Sequence, residues 1–259
     1  MRPWAPGRMT HRITSAPRTA PALALAPEPP VPPRPLSDRA FTFLWGGIQW
    51  PWLLRSLSGG SAADRATLLS ELGLPPEALP GLGSWRADAG FLRLLAAYVR
   101  ARMPETVVEF GCGATTLVLA RALQLAGRGT LISHDNDAAF AEATRAALAA
   151  AGLAADIRVA PLRAAPPPWR GAWYATGVLP KRIDLLVVDG PHWAVHPFAR
   201  GAAESLFDRL PPGGVVMLDD GARPGERVVM ARWRRRWPGM RFRLAHTGPK
   251  GTVIGERLG

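Results

Sequence analysis

Val107-Val108-Glu109-Phe110-Gly111-Cys112-Gly113-Ala114-Thr115-Thr116 is an apolar run that carries one carboxylate, breaks at two glycines and passes into a helix-forming stretch. A strand that only filled a core would need neither the glycines nor the acid, since a buried charge is costly unless it is paired or used. Glycines let the backbone turn tightly and let a ligand approach it, and the helix that follows offers free amides at its first turn. A dinucleotide fingerprint requires a third glycine at position 116, where Thr116 stands. Glu109 also disfavours a pyrophosphate, because an anion repels phosphates. A carboxylate at this place suits a ligand with an amine or a sulfonium.

Outward from this loop, short apolar runs alternate with helical stretches: Val107–Phe110, then Thr115–Ala126; Thr130–Ser133, then Ala138–Ala151; Asp156–Val159, then a Pro-rich loop. The rhythm resumes with Ile183–Val188, Pro197–Leu210, Val215–Leu218 and Pro224–Trp237, and two late strand candidates, Met240–Ala245 and Thr252–Gly255, end the chain. Continuous apolar strands separated by helices predict an α/β fold: a Rossmann-like, seven-stranded, mostly parallel sheet with helices on both faces. Ligands of such sheets bind beyond the carboxyl ends of the strands. Before the sheet, Arg86–Met103 and Ser61–Leu72 read as helices, and the aromatic-rich Phe41–Leu54 reads as an arm that packs on the body. The expected organisation is a Pro/Ala/Arg-rich leader over 1–36, disordered for want of apolar surface, a helical cap over 37–85 and the sheet domain over 86–259.

The second strand runs into Ser133-His134-Asp135-Asn136-Asp137, and a carboxylate at that place can accept hydrogen bonds from ribose hydroxyls. A glycine loop with a second-strand acid points to a nucleoside ligand. The combination resembles the class I S-adenosylmethionine-dependent methyltransferases, whose first motif is an acid followed by Gly-x-Gly, as in Glu109-Phe110-Gly111-Cys112-Gly113. The resemblance implies methyl transfer from S-adenosylmethionine, with Glu109, Gly111, Gly113, Thr116, Asp135, Asn136 and Asp189 at the cofactor. It runs from about residue 86 to the C-terminus.

Two further strand ends carry acids. Ile183–Val188 leads into Asp189-Gly190-Pro191-His192, and Val215–Leu218 leads into Asp219-Asp220-Gly221. Three carboxylates at neighbouring strand ends would suit Mg²⁺, Mn²⁺ or Ca²⁺; capping and loop hydrogen bonds are the alternative use. These stretches resemble the catechol and macrocin-type O-methyltransferases and related bacterial proteins with VDGP and LDD signatures. That likeness implies a small-molecule acceptor methylated on a hydroxyl oxygen, and a divalent cation held by Asp189, Asp219 and Asp220 as an option. The catechol enzymes carry a general-base lysine three residues beyond the first aspartate. His192 holds that place here, and with Asp189 it is the candidate for the proton transfer. Trp169, Trp173 and Tyr174 are candidates for a ligand wall or for core.

Charge is unevenly spread over the 259 residues. The net +12 divides into +4 over residues 1–40, zero over 41–222 and +8 over 223–259. Only two of the 32 basic residues are Lys, a compositional bias that weakens the reading of basicity as a nucleic-acid footprint. The run Arg232-Trp233-Arg234-Arg235-Arg236-Trp237 is expected to be a solvated basic face. A single cysteine, Cys112, excludes an internal disulfide and a cysteine-based zinc site. With no membrane-length apolar run and no signal-peptide core, a cytoplasmic location is expected. A homodimer is compatible with these features. The alternatives are an RNA methyltransferase using the basic C-terminus and a non-catalytic protein that keeps the fold.

Overall fold

The computed structural model describes residues 35–79, 81–83 and 86–259. The expected leader lies outside them except for Pro35 and Leu36, and Leu36 already opens the first helix, α1 (Leu36–Arg55). Helix α2 (Ala62–Leu72) begins at Ser61, whose hydroxyl accepts the amide of Asp64, and it ends at Gly73 in the left-handed region. Helix α3 (Ala89–Arg102) is capped by Asp88, whose carboxylate accepts the amide of Phe91 at 2.8 Å. These three helices precede the sheet.

The sheet follows the predicted alternation: β1 (Thr106–Phe110), α4 (Ala114–Ala126), β2 (Thr130–Asp135), α5 (Ala138–Ala150) and β3 (Asp156–Val159). After β3 the Pro-rich stretch forms a small antiparallel pair, β4 (Leu162–Ala164) with β5 (Ala172–Tyr174), where a loop was expected. The main chain then continues through β6 (Leu185–Val188), β7 (Val215–Leu218), α6 (Pro224–Arg236), β8 (Met240–Ala245) and β9 (Thr252–Arg257). Strand order is β3-β2-β1-β6-β7-β9-β8, seven strands, with β9 antiparallel to both of its neighbours. The order reverses direction at β1, between β2 and β6, so the carboxyl ends of these three strands frame the natural ligand crevice.

Alternation along the central strands fills two cores. Val107, Leu185, Val187 and Met217 face α3, α4 and α5. Val108, Phe110, Leu186, Val188 and Leu218 face Trp173, Phe207 and Trp233 on the opposite side. The segment predicted as a helix over 197–210 is a 3₁₀ helix over Ala199–Arg209. Its geometry follows from tight packing. A Cβ on Gly201 would meet the Trp169 ring at 2.1 Å, and the Gly201 carbonyl accepts the buried Trp233 indole N–H at 2.9 Å.

The aromatic arm is α1, and it packs on the body as expected. Phe41 stacks on His196, Trp45 meets Phe198 edge-on at 5.1 Å, and Gln49 is fully buried. Its other side leaves Phe43, Leu44, Ile48 and Trp50 exposed. Among the described residues no helix is long and apolar enough to cross a membrane.

Candidate active site

The opening motif makes a sharp loop between β1 and α4. Gly111 has φ +92° and Gly113 φ +136°, and a Cβ on Gly111 would meet the Gly190 amide nitrogen at 2.8 Å. Only glycine satisfies both the dihedral and the close approach. Beneath the loop, Glu109 is fully buried. Its Oε2 accepts the hydroxyls of Thr116 and Ser133, each at 2.6 Å, and the Thr116 hydroxyl in turn accepts the Gly113 amide at 2.9 Å. Burial pushes the Glu109 carboxyl up to about 7, against the hydrogen bonds from Ser133 and Thr116. Glu109 and Thr116 were expected at the cofactor. Both instead sit behind the loop, line no part of the cleft and brace its shape.

The loop opens on a cleft of about 640 Å³ at the carboxyl ends of β1, β2 and β6. Gly111, Gly113, Asp135, Asn136, Asp189 and His192 all line it, as do Tyr174 and Arg200. Asp135 accepts the Cys112 amide on one oxygen and the Asp137 amide on the other, both at 2.9 Å. Each carboxylate oxygen has a second lone pair free for a ligand. Of the three aromatic candidates only Tyr174 reaches the cleft, where burial raises its phenol well above the ordinary value and keeps it protonated. Trp169 and Trp173 belong to the core.

His192 lies at the cleft, and its Nδ1 accepts the Ala194 amide at 3.2 Å. Desolvation, then the Arg200 and Arg223 charges, hold its pKa below the ordinary value, so the ring is neutral near pH 7. An accepting Nδ1 puts the ring proton on Nε2.

Nearest oxygens of Asp189, Asp219 and Asp220 lie within 4.8 Å of one another, as the adjacent strand ends required. Sequence reasoning missed what lies among them. Arg200, in the 3₁₀ segment, places Nη1 2.9 Å from Asp220 Oδ2 and 3.9 Å from Glu226 Oε1. Arg223 Nη2 is 2.8 Å from Asp220 Oδ1, and Lys250 Nζ is 3.5 Å from Asp220 and 3.8 Å from Asp219. Four buried or nearly buried acids therefore face three buried cations. Burial alone would raise Asp220, but Arg223, Lys250 and Arg200 outweigh it and hold its carboxyl below the usual range. Asp219, whose oxygens accept no hydrogen bond, is raised well above that range by burial and by Asp220, and burial raises Glu226 to about 7.

This cluster does not fit a divalent ion. Asp219 and Asp220 line no part of the cleft, and the cationic groups already occupy the surroundings of their oxygens. Each guanidinium about 4 Å from a doubly charged ion would repel it by on the order of 8 kcal/mol at an effective dielectric constant of about 20, which offsets the attraction to one ionised carboxylate at that distance. The signal that could have revealed Arg200 in the sequence, an arginine in an amphipathic run, is too common to single out.

The basic run on α6 differs from a freely solvated face. Arg232 lies 4.9 Å over the Phe198 ring, Arg234 donates to the Phe242 carbonyl and Arg236 pairs with Glu204 at 2.8 Å.

A family profile described as a methyltransferase domain matches residues 108–221. The chain is similar in fold to an O-methyltransferase from Bacillus cereus solved in complex with S-adenosylhomocysteine, at 13% identity and a TM-score of 0.51, over 83% of this chain and 99% of that one. It is also similar to a methyltransferase from Podospora anserina solved with S-adenosylhomocysteine bound, at 12% identity and a TM-score of 0.50, over 91% of this chain and all of that one (100%). Comparison with curated protein sequences finds no match. The glycine loop and strands β1, β2, β6 and β7 fall within or at the edge of the matched stretch, and residues 108–221 thus match a methyltransferase domain on a sheet of the same fold as these enzymes.

Proposed function

We propose that the protein transfers the methyl group of S-adenosylmethionine to a hydroxyl oxygen of a small molecule. One observation carries the reading: a single cleft at the strand-order reversal gathers the Gly111–Gly113 loop, Asp135, Asn136, Asp189 and His192. When bound, S-adenosylmethionine supplies an electrophilic methyl. The chain's own groups supply position. Amides at the start of α4 and the free lone pairs of Asp135 are donors and acceptors for the nucleoside, with Asn136 beside them. Asp189 lines the cleft, and its buried Oδ1 accepts no hydrogen bond from the protein.

His192 is the proposed acceptor of the hydroxyl proton, kept neutral by its lowered pKa. Removing that proton at Nε2 requires the opposite tautomer and release of the Ala194 amide, so His192 first meets a bound hydroxyl as a donor. The partial use of the α6 arginines inside the fold favours a small acceptor over RNA.

Calorimetry with S-adenosylhomocysteine tests the reading. Binding is expected, and Asp135→Ala is expected to weaken it by about 1–3 kcal/mol, the loss of charge-assisted hydrogen bonds. Wild-type protein that takes up no S-adenosylhomocysteine would overturn it. Incubation with S-adenosylmethionine and a panel of hydroxylated acceptors, read by mass spectrometry for an O-methyl product, then identifies the acceptor.

A further inference from the structure

Of the three cations of the buried cluster, Arg200 is the one that lines the cleft, while Arg86, outside the cluster, lines it from the cap side. Its side chain is 6% exposed and is held from several directions. Nε donates to the Pro191 carbonyl at 3.1 Å, Nη1 to Asp220 Oδ2 at 2.9 Å and to the Asp219 carbonyl at 3.4 Å, and Nη2 to the Asp189 carbonyl. A guanidinium has five N–H groups, and these contacts use four. The second Nη2 hydrogen finds only Asp189 Oδ1, at 3.9 Å, beyond hydrogen-bond range. A positively charged donor is thus fixed at the cleft wall with one hydrogen unspent.

The position matters because Arg200 stands against Asp189 and Asp220, two of the three acids that the strand ends bring together. Its charge is delocalised and permanent, and a guanidinium edge matches oxygen anions. We propose that Arg200 is the resident cation of the methyl-transfer site in place of a divalent metal, and that it selects an acceptor carrying an anionic oxygen, such as a carboxylate, beside the hydroxyl. This rests on the methyl-transfer reading above. Arg200 binds the acceptor's anion, His192 meets the neighbouring hydroxyl, and the Asp220 carboxylate behind Arg200 fixes its orientation rather than touching the ligand.

Two measurements on the full chain test this. In Mn²⁺ titrations followed by electron paramagnetic resonance, wild-type protein is expected to bind no ion at submillimolar concentration. Stoichiometric binding that Asp219→Asn abolishes would overturn the proposal. In calorimetry on protein saturated with S-adenosylhomocysteine, 2-hydroxybenzoate is expected to bind at least tenfold more tightly than the uncharged 2-hydroxybenzamide. Arg200→Gln is expected to erase that preference, and Arg200→Lys to restore part of it. Equal affinity for the two probes in the wild type, or a preference that survives in Arg200→Gln, would overturn it. Should Arg200→Gln fail to fold, the Mn²⁺ titration and the wild-type probe pair still decide. A wild type that binds no S-adenosylhomocysteine defeats the methyltransferase reading instead, and the Mn²⁺ result then stands by itself.

Discussion

Glu109 carries a charge that its surroundings resist. It is fully buried, one oxygen accepts two hydroxyls and the other accepts no hydrogen bond. Its carboxyl is pushed from 4.5 up to about 7 by burial, so the native state holds a proton that the unfolded chain releases more readily. The sign follows from proton linkage. The native form binds more protons between about pH 4.5 and 7, so this group's contribution is fully present below that window and is lost as pH rises through it. At 1.36 kcal/mol per unit the loss is on the order of 3 kcal/mol. Glu109→Gln removes the titration while leaving an amide oxygen to accept Thr116 and Ser133. In urea denaturation of the two proteins from about pH 5 to about pH 8, the balance is expected to move steadily toward the Gln variant as pH rises. A difference that stays constant across that range would show that Glu109 does not titrate there.

At the scale of elements, Asp88 ties the first helix of the sheet domain to the last hairpin. Its Oδ1 caps α3 at the Phe91 amide, and its Oδ2 accepts the amide of Lys250 at 3.2 Å, in the connection between β8 and β9. The side chain is 1% exposed, so water cannot replace it. Asp88→Ala is expected to cost about 2–3 kcal/mol, roughly 1 for the cap and the rest for a buried amide left without an acceptor. Asp88→Asn, which keeps an oxygen for the cap, is expected to lose less than half of that. Equal losses in thermal unfolding of the two variants would refute the capping role. Asp88 could not be found from the sequence, because its second partner lies 162 residues away. The strands were legible for the opposite reason. Runs such as Leu185–Val188, buried on both faces, are apolar without interruption, and the Gly111–Gly113 loop has no other economical use. The β4–β5 pair went unread because three-residue strands flanked by prolines carry no period, and the 3₁₀ geometry of Ala199–Arg209 depends on Trp169 and Trp233 reaching Gly201.

The acid cluster joins distant parts of the whole molecule. Asp189 follows β6, Asp219 and Asp220 follow β7, Arg223 and Glu226 open α6, Arg200 comes from the 3₁₀ segment, and Lys250 reaches in from the β8–β9 connection and donates to the Arg86 carbonyl at 2.5 Å. Sequence could place Asp189, Asp219 and Asp220, since they follow apolar strands within two residues, but not Glu226 in α6. It could not place the arginines and lysine, whose approach depends on packing across the sheet. Equal chemistry at adjacent positions then gives unequal consequences. Asp220, with φ +60°, turns its carboxylate into two guanidinium groups. Removing its charge leaves Arg200 and Arg223 buried without a close counter-ion, a loss of about 3–5 kcal/mol. Asp219 is fully buried, accepts no hydrogen bond and lies 3.8 Å from Lys250, and burial with the Asp220 charge raises its carboxyl well above the usual range, so an amide imitates the uncharged form that burial favours. Asp219→Asn is therefore expected to change stability by less than about 1 kcal/mol at pH 7, while Asp220→Asn loses several. Chemical denaturation of the two variants beside the wild type reads the difference directly. A destabilised Asp219→Asn with a tolerated Asp220→Asn would mean that the cations pair with Asp219 in solution, and the charge balance assigned to the cluster would be reversed.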